Sequence, residues 1–288
     1  MAGTGKKWLM GCGLGCLAVV VIVAVLLGGT ALLFKNTFSG WRNASTAMQE
    51  LSAAQGETAD FHPAWPGGVT ADRLEILLAV RDKTAPSRTE LVNEFYAAQD
   101  RLARSDGKLG RLGRRIEAGQ RLAPRLAEFM RLRSTALLEA GMNPGEYLYL
   151  YSLVYHCWLG HDPAAGVESF FMAMRREGRS FQIKIDSGDE DADAIGDPAE
   201  RLRQRLRAQH RRWLRSLLND APAPVPQEQS EWFDQVREEL DRLDRRRDTL
   251  PWAERFPAAW QAELEPYRAR LAASWDVQSN VLELMLLD

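Results

Sequence analysis

The sequence predicts a mainly α-helical protein, with one N-terminal transmembrane helix followed by an irregular multi-helix bundle. Three observations predict this fold class. Residues 9–34 contain no acidic or basic side chain, apolar residues recur at helical spacing along most of the remaining chain, and Pro, Asn, Asp and Gly residues mark helix ends. The composition is 45% hydrophobic and 26% charged with a net charge of -2, which is typical of a folded chain and unfavourable for nucleic-acid binding.

The N-terminal apolar segment "LMGCGLGCLAVVVIVAVLLGGTALLF", residues 9–34, is long enough at about 1.5 Å per residue to cross a hydrocarbon core of about 30 Å. The flanking basic residues are Lys6, Lys7, Lys35 and Arg42. Their distribution favours a cytoplasmic tail at residues 1–8 and a body outside the cytoplasm, on the inner (cytoplasmic) membrane. We expect an uncleaved single-pass anchor because apolar residues continue on both sides of a signal-peptide window, and cleavage after Ala31 remains the alternative.

The first part of the body is predicted to be helical with one loop. Residues 35–69 should form a juxtamembrane helix and then a loop, because "GETADFHPAWPGG" is rich in Pro and Gly. The helical body follows at residues 70–219. Thr70 is expected to cap a buried helix through "ADRLEILLAVRDK". Ser87 and Glu90 have the spacing of a capping box, which predicts the start of a second helix.

The next helix is predicted from an apolar stripe at helical spacing between Leu122 and Leu137, which ends at Gly141. Just before this stripe, "SDGKLGRLGRR" is basic and interrupted by glycines. Glycine weakens a helix interior and basic residues do not favour a helix start. The segment therefore predicts either a loop or a weak first turn of the same helix.

An aromatic stretch, "GEYLYLYSLVYHCWLGHD", follows Asn143 and Pro144. An Asn cap with Pro at the first helical position predicts a helix rather than a strand. Four aromatic residues recur at i, i+4, i+8 and i+11, namely Tyr147, Tyr151, Tyr155 and Trp158. Because the other faces are also apolar, we expect a helix in the centre of the bundle. The alternative is that these four residues line a pocket for a lipid or another small ligand.

Beyond the aromatic stretch, Asp162 should begin a helix that ends at Gly178, and "FQIKI" at residues 181–185 alternates as a strand does. A Pro-rich linker is predicted at residues 220–229, "DAPAPVPQEQ". Residues 230–288 are expected to form C-terminal helices packed on the body, because the apolar end "VLELMLLD" would be costly to expose.

The segments "KKWLMGCGLGC" and "ADRLEILLAVRD" together resemble a loose group of uncharacterised bacterial proteins with one N-terminal membrane span and a helical exported body. The resemblance covers about a tenth of the chain. It implies a bacterial envelope protein and implies no activity, cofactor or site residue.

Three residue sets could carry chemistry in the aromatic region and just after it. His156 and His161 are five residues apart, which does not place them on one helix face as in a helical zinc site, so a metal there is the minor alternative. "GVESFFMA", with Glu168 and Ser169, is similar to the Glu-Ser start of lytic transglycosylases, which would make Glu168 the catalytic acid of an envelope hydrolase. The remainder of that family's pattern does not follow. Cys157, the only cysteine of the body, is expected to be a buried apolar side chain.

The acidic segment "DSGDEDADAIGDP" has the spacing of a calcium loop of the EF-hand type. The positions concerned are Asp189, Asp191, Asp193, Asp197 and Glu200. Ala194 stands where that loop needs glycine, so we expect a flexible acidic loop rather than a tight calcium site. Seven arginines lie between Arg201 and Arg215, and we interpret them as the solvated face of a helix.

The sequence therefore favours a membrane-anchored envelope protein that acts as a non-enzymatic protein-interaction or scaffold module, with a protein partner or a second copy of itself. No cofactor is expected. The alternatives are an envelope hydrolase that uses Glu168 or a metal at His156 and His161, and a lipid or small-ligand carrier. Residues 36–288 carry 34 basic and 39 acidic side chains, and this mildly acidic balance does not favour binding to anionic lipid surfaces.

Overall fold

The computed structural model describes residues 34–67, 69–104, 108–167, 197–246 and 249–285. Within these ranges the chain is mainly α-helical and contains no strand, which confirms the predicted helical class. The predicted cytoplasmic tail and nearly all of the predicted anchor, the possible strand at residues 181–185 and most of the acidic segment lie outside them. None of the helices in the described part of the chain combines the length and the apolar character that crossing a membrane requires.

The described helices are as follows in chain order. They are α1 Phe34–Gln55, α2 Ala71–Ala103, α3 Lys108–Glu139, α4 Pro144–Tyr151, α5 Pro198–Asp220, α6 Gln227–Arg245, α7 Ala258–Leu264, α8 Arg268–Ala273 and α9 Val277–Met285. A π-helical segment, Ser152–Trp158, continues α4, and single 3-10 turns lie at Thr58–Asp60 and Glu265–Tyr267.

Helices α2 and α3 form a long antiparallel hairpin, and α1 packs along α3. The hairpin register is fixed by ion pairs such as Arg125 with Glu90, and by the hydrogen bond from Arg114 Nη1 to the Arg101 carbonyl oxygen at 3.4 Å. Small residues allow α1 to approach α3 closely, since Ala44 packs against Ala127 and Met130.

One predicted helix start is wrong. Helix α2 runs without interruption through Pro86, so Ser87 and Glu90 do not form a capping box at a new helix. Ser87 is instead buried within the helix, as are Leu91 and Val92 further along it. Burial of this continuous helix face stabilises the long helix. This gain is larger than the local preference for a helix start at Ser87 and the cost of the backbone hydrogen bond that Pro86 cannot donate. Helix α3 begins at Lys108, so of the two alternatives for the basic segment the helical turn is correct.

Helix α4 begins as the sequence predicts, since the Asn143 side chain accepts a hydrogen bond from Gly145 N at 2.6 Å and Pro144 occupies the first helical position. Gly145 permits a close approach, because a Cβ there would overlap Phe61 and the Thr58 carbonyl. Every residue from Tyr147 to Cys157 is buried. This segment is the central element around which the other helices pack.

The C-terminal third returns to the central helix. Asp197 caps α5 by accepting a hydrogen bond from Ala199 N at 3.2 Å, and α5 packs against α6. After α6 the chain crosses back through α7 and α8, and α9 buries Val281 and Leu284 in the main core. The C-terminal segment therefore meets α2 and α4 at one face.

Candidate functional site

In the described part of the chain, a group of buried polar and charged side chains lies where the C-terminal segment meets α2 and α4. We call it the Arg81 cluster, and it consists of Arg81, Tyr147, Tyr151, Tyr155, Ser274 and Glu283. Apart from Ser274, all of these side chains are buried. The two charged members come from opposite ends of the chain, since α2 supplies the arginine and α9 the glutamate.

The Arg81 side chain, which has no exposed surface, is surrounded by hydrogen-bond acceptors and aromatic rings. Its Nη1 donates to Tyr147 Oη at 3.2 Å and lies 3.4 Å from Glu283 Oε1. Its Nε donates to Ser274 Oγ at 3.3 Å, and Nη2 donates to the Ser274 carbonyl oxygen. The guanidinium carbon lies 4.8 Å from the centre of the Tyr155 ring, which adds a cation–π interaction.

The Glu283 carboxylate accepts three hydrogen bonds in a site from which water is excluded. Tyr147 Oη donates to Oε1 at 3.0 Å, Arg133 Nη1 donates to Oε2 at 3.1 Å, and Arg81 completes the set. Burial of a single charge would be very costly, whereas a fully hydrogen-bonded group of charges is tolerated. With two guanidinium groups and one carboxylate, the interior retains one positive charge that the tyrosine rings and oxygens help to stabilise.

The remaining tyrosine hydroxyls bind the C-terminal segment directly. Tyr151 Oη donates to Asn280 Oδ1 at 3.1 Å, and Asn280 Nδ2 donates to the Pro163 carbonyl oxygen at 2.9 Å. Tyr155 Oη and Ser274 Oγ are 2.5 Å apart. Burial raises the pKa of Tyr147 and of Tyr151, so these hydroxyls stay neutral at physiological pH. The cluster therefore holds the chain together and is not arranged to transfer protons to a solute.

The two histidines proposed as a metal pair have separate roles. His156 Nδ1 lies 2.9 Å from the His161 carbonyl oxygen, while the His161 ring stacks on Trp275 with centroids 4.3 Å apart. Burial lowers the pKa of His156 to about 4, and burial also lowers that of His161. Asp162, a further possible ligand, is paired with Arg203 at 2.8 Å. Across the described ranges, no group of three or more His, Cys, Asp or Glu side chains is placed to bind a metal.

Cys157 is buried and faces His210, with Sγ 3.9 Å from Nε2. Burial raises the pKa of this thiol and lowers that of His210 to about 3. A neutral thiol beside a neutral imidazole, both closed to solvent, is a packed pair and is not an activated nucleophile.

The structure brings three of the four predicted pocket aromatics together and separates the fourth. Tyr151 lies 6.1 Å from Tyr147 and 4.7 Å from Tyr155, centroid to centroid. Trp158 is only partly buried and packs under the guanidinium of Arg268, 4.3 Å from its carbon. The π-helical segment changes the angular step between residues, so the i+11 position no longer lies on the same face.

The remaining sequence candidates lie at α5 or outside the described ranges. Glu168 and the first three aspartates of the possible calcium loop, Asp189, Asp191 and Asp193, lie outside. Glu200 pairs with Arg203 at 3.7 Å and accepts a hydrogen bond from Gln204. The prediction of a solvated arginine face is wrong for Arg207, which is buried and donates to the carbonyl oxygens of Thr249 and Leu243.

An open groove of about 460 Å³ also lies beside α5. Its lining residues are His62, Ala208, Arg212, Arg215, Ser216, Asn219 and Asp220. Arg215 is 3.6 Å from Asp244, and Asp220 adds a negative charge to the lining. This balanced, shallow surface has no buried polar group converging on a ligand.

Sequence reasoning missed Arg81 and Glu283, although a signal was present. Arg81 ends the apolar run "ILLAV" and Glu283 interrupts "VLELMLL". An ionisable residue within an apolar run is expected to be buried and paired when the run is buried. The identity of the partner could not be read from the run itself.

The fold and the cluster define an all-α bundle whose C-terminal segment is fixed by a buried arginine–glutamate–tyrosine network. No family of known proteins, no curated protein and no solved structure matches the chain.

Proposed function

We propose that the protein is a non-enzymatic, membrane-anchored scaffold or protein-interaction module of the cell envelope. Residues 9–34 anchor it in the inner (cytoplasmic) membrane, and the helical body lies outside the cytoplasm. The observation that carries this proposal is that α1, which begins where the apolar segment ends, packs lengthwise on the body. A body joined to its anchor in this way is held in a restricted orientation to the membrane, as a scaffold requires.

The attachment of α1 extends over most of its length. Ala44 packs on Ala127 near the middle of α1, Leu51 belongs to the main core, and Asn143 Nδ2 donates to the Gln55 carbonyl oxygen at its end. These contacts leave no flexible linker between the first described residues and the bundle. Buried small and apolar residues along one helix face give such a junction its rigidity.

The non-enzymatic part of the proposal is supported by the position of the potentially reactive side chains, which are buried or bound within the fold. Cys157, His156 and His210 are buried, and the tyrosine hydroxyls of the Arg81 cluster bind the C-terminal segment. Exposed ion pairs such as Arg125 with Glu90 and Arg270 with Glu75 lie on the surface of the described chain, and Tyr96 is one of its few exposed large apolar residues. A polar, charged surface is suited to reversible binding of another protein, in which electrostatic complementarity provides specificity.

Photo-cross-linking of the full chain in native membranes tests the proposal. A photoreactive amino acid at Arg212, an exposed position on α5, should give a discrete protein adduct, either to a partner or to a differently tagged second copy. The same photoreactive residue at Thr4, in the predicted cytoplasmic tail, is the control and should not give that adduct. If several exposed positions of the body give no protein adduct, the scaffold function is wrong.

A further inference from the structure

The end of the α2–α3 hairpin that points towards the anchor has a composition unlike the rest of the body. The register of the helices places it there. Gly40 of α1 lies opposite Ala127 of α3, with a Cβ built on the glycine 3.7 Å from the alanine Cβ, and Gln55 lies beside Asn143 just after α3. Because the residue numbers of the contacting positions increase together along the two helices, α1 and α3 are parallel.

The same register shows how far the hairpin extends. Extrapolation from Gly40 and Ala127 places Phe34, the first residue of α1, level with about Arg121. Helix α3 begins about 13 residues earlier, at Lys108, so its first part projects about 20 Å beyond the start of α1. It projects on the side from which the anchor enters. We call residues 94–104 and 108–121 the hairpin tip.

The hairpin tip is strongly basic. Residues 94–121 contain seven basic and four acidic residues, whereas residues 36–288 as a whole have more acidic than basic residues. One of the four, Asp106, lies outside the described ranges, and the other three acidic side chains are paired within the tip. The pairs are Glu94 with Arg101 at 2.9 Å, Asp100 with Arg104 at 3.3 Å and Glu117 with Arg121 at 2.9 Å. The first two turns of α3, "KLGRLGRR", therefore contribute four positive charges with no acidic residue among them.

The tip also has the apolar pattern of an interfacial helix. Leu109, Leu112 and Ile116 follow one another at i, i+3 and i+7 in α3, which is the spacing of one helix face. On α2, the Tyr96 side chain is 48% exposed. Because Glu90 of α2 pairs with Arg125 of the antiparallel α3, Tyr96 lies beside the part of α3 that is about level with Phe34. A basic amphipathic helix accompanied by an exposed tyrosine is typical of a segment that lies in the headgroup region of a bilayer.

We propose that the hairpin tip docks on anionic lipid headgroups of the membrane in which the chain is anchored. The inference rests on the proposed anchoring by residues 9–34. Phe34 ends the apolar segment, so with α1 upright a tip that projects about 20 Å past it would enter the hydrocarbon, where arginines are costly. The hairpin must therefore be inclined towards the membrane plane. The tip lies along the headgroups, where its charges contact lipid phosphates. The anchor holds it at a high effective concentration, so a weak contact is sufficient to orient the whole body.

Fluorescence quenching in reconstituted vesicles tests the tip directly. The full chain with Cys12→Ser and Cys16→Ser retains only the buried Cys157, so a label can be added at Gly113→Cys. Gly113 is exposed, and an added Cβ there meets no atom within 4 Å. The matched probe is Ala269→Cys, an exposed position on α8 at the other end of the bundle. Each carries an environment-sensitive fluorophore, and the quencher is a phospholipid with a nitroxide headgroup.

Quenching at Gly113→Cys should rise about twofold when phosphatidylglycerol is added to phosphatidylcholine vesicles, and should fall again at high salt. The Ala269→Cys probe should not respond. Charge reversal by Lys108→Glu, Arg111→Glu and Arg115→Glu should abolish the rise. The reversal Arg212→Glu, Arg245→Glu and Arg255→Glu, which changes the net charge equally at exposed sites elsewhere, should preserve it.

Other outcomes overturn the proposal in distinguishable ways. Flotation and alkaline extraction of the same vesicles test anchoring, and a chain that is extracted fails at that step. A chain that stays integrated but shows equal quenching in both lipid mixtures disproves the tip contact alone. A silent probe in vesicles, together with a protein cross-link from Gly113 in native membranes, would assign the tip to an acidic protein partner and exclude the lipid proposal.

Discussion

At the scale of single residues, the fold depends on charges that are buried and paired. Glu283 is the shared acceptor of Arg81, Arg133 and Tyr147, and its side chain is 1% exposed. Among the described residues, no other acidic side chain is paired with Arg81 or Arg133. The loss of this carboxylate would leave two guanidinium groups without their common partner, which is the costly way to disrupt a buried ion cluster.

Glu283→Gln should therefore lower the free energy of unfolding by about 3 to 5 kcal/mol. Tyr147→Phe removes the hydroxyl that accepts a hydrogen bond from Arg81 and donates one to Glu283, and should cost about 1 to 3 kcal/mol. The matched control is Glu75→Gln, which breaks an exposed pair with Arg270 and should cost less than about 1 kcal/mol. Urea denaturation followed by circular dichroism measures all three. Equal effects of Glu283→Gln and Glu75→Gln would show that the cluster does not fix the C-terminal segment.

The buried histidines predict acid sensitivity. Burial lowers the pKa of His156 to about 4, against 6.5 for a free histidine. Between these two values the unfolded chain binds a proton that the folded chain excludes, so stability is present at neutral pH and is lost as the pH falls. From pH 7 to pH 5 the loss from this one group should be about 2 kcal/mol.

Substitution His156→Gln should reduce the difference in unfolding free energy between pH 7 and pH 5 by about that 2 kcal/mol. The comparison within one variant removes any constant cost of the substitution. His62→Gln, at an exposed position, is the control and should leave the difference unchanged. If His156→Gln retains the full pH dependence, the imidazole is not the titrating group.

At the scale of helices, α2 and α4 show when a local signal succeeds. The Asn143–Pro144 start of α4 was predicted because a cap acts within three residues and no packing opposes it. The capping box at Ser87 and Glu90 has the same local form and failed, because α2 buries residues on both sides of that position. A local pattern predicts a helix end only where tertiary contacts do not stabilise a helix that continues through it.

The proline inside α2 gives a prediction at this scale. Pro86 is exposed, so its ring contributes little packing, and it interrupts the hydrogen bonding of a long helix. Pro86→Ala should raise the unfolding free energy by about 1 to 3 kcal/mol. Pro144→Ala, at the first position of α4, should change stability by less than about 1 kcal/mol, since no backbone hydrogen bond is missing there. A stabilisation by Pro144→Ala that equals that of Pro86→Ala would contradict this explanation.

The π-helical segment explains the part of the candidate site that the sequence could not predict. Regular spacing placed Trp158 on the face of Tyr147, Tyr151 and Tyr155. A single change of helical type after Tyr151 moves Trp158 to the side of Arg268, so the four aromatics do not line one pocket. Such a change depends on how neighbouring helices pack and has no marker in the residue types.

At the scale of the whole molecule, the proposed anchoring by residues 9–34 predicts on which side of the membrane the body lies. A fusion of alkaline phosphatase after Asp60, beyond α1, should be active, because that enzyme requires an exported location and we place the body outside the cytoplasm. A cytoplasmic reporter fused at the same residue should be inactive. The opposite pair of results would reverse the topology while leaving the helical fold and the tip charge as they are.

The net charge of the body and the local distribution of its charges lead to different expectations about binding to anionic lipid. The excess of acidic residues in positions 36–288 argues against anionic lipid as a general partner. Parallel packing of α1 and α3 places the basic hairpin tip at the end of the bundle where α1 begins, which is the end next to the proposed anchor. Exposed charges act over about 10 Å, so we expect this local charge to matter more there than the net charge of the body. The sequence contained the basic segment, but only the register of the helices showed which end of the bundle it occupies.

By itself, the sequence determined the helical class, some helix starts such as that of α4, and the burial of the aromatic stretch, because helical hydrogen bonds, caps and apolar periodicity act over a few residues. Only the tertiary structure decided which charges meet. Arg81 and Glu283 are 202 positions apart, and Tyr147 and Glu283 are 136 apart. Pairing over such distances depends on how whole helices pack, and the low dielectric of the interior then makes each partner indispensable to the other.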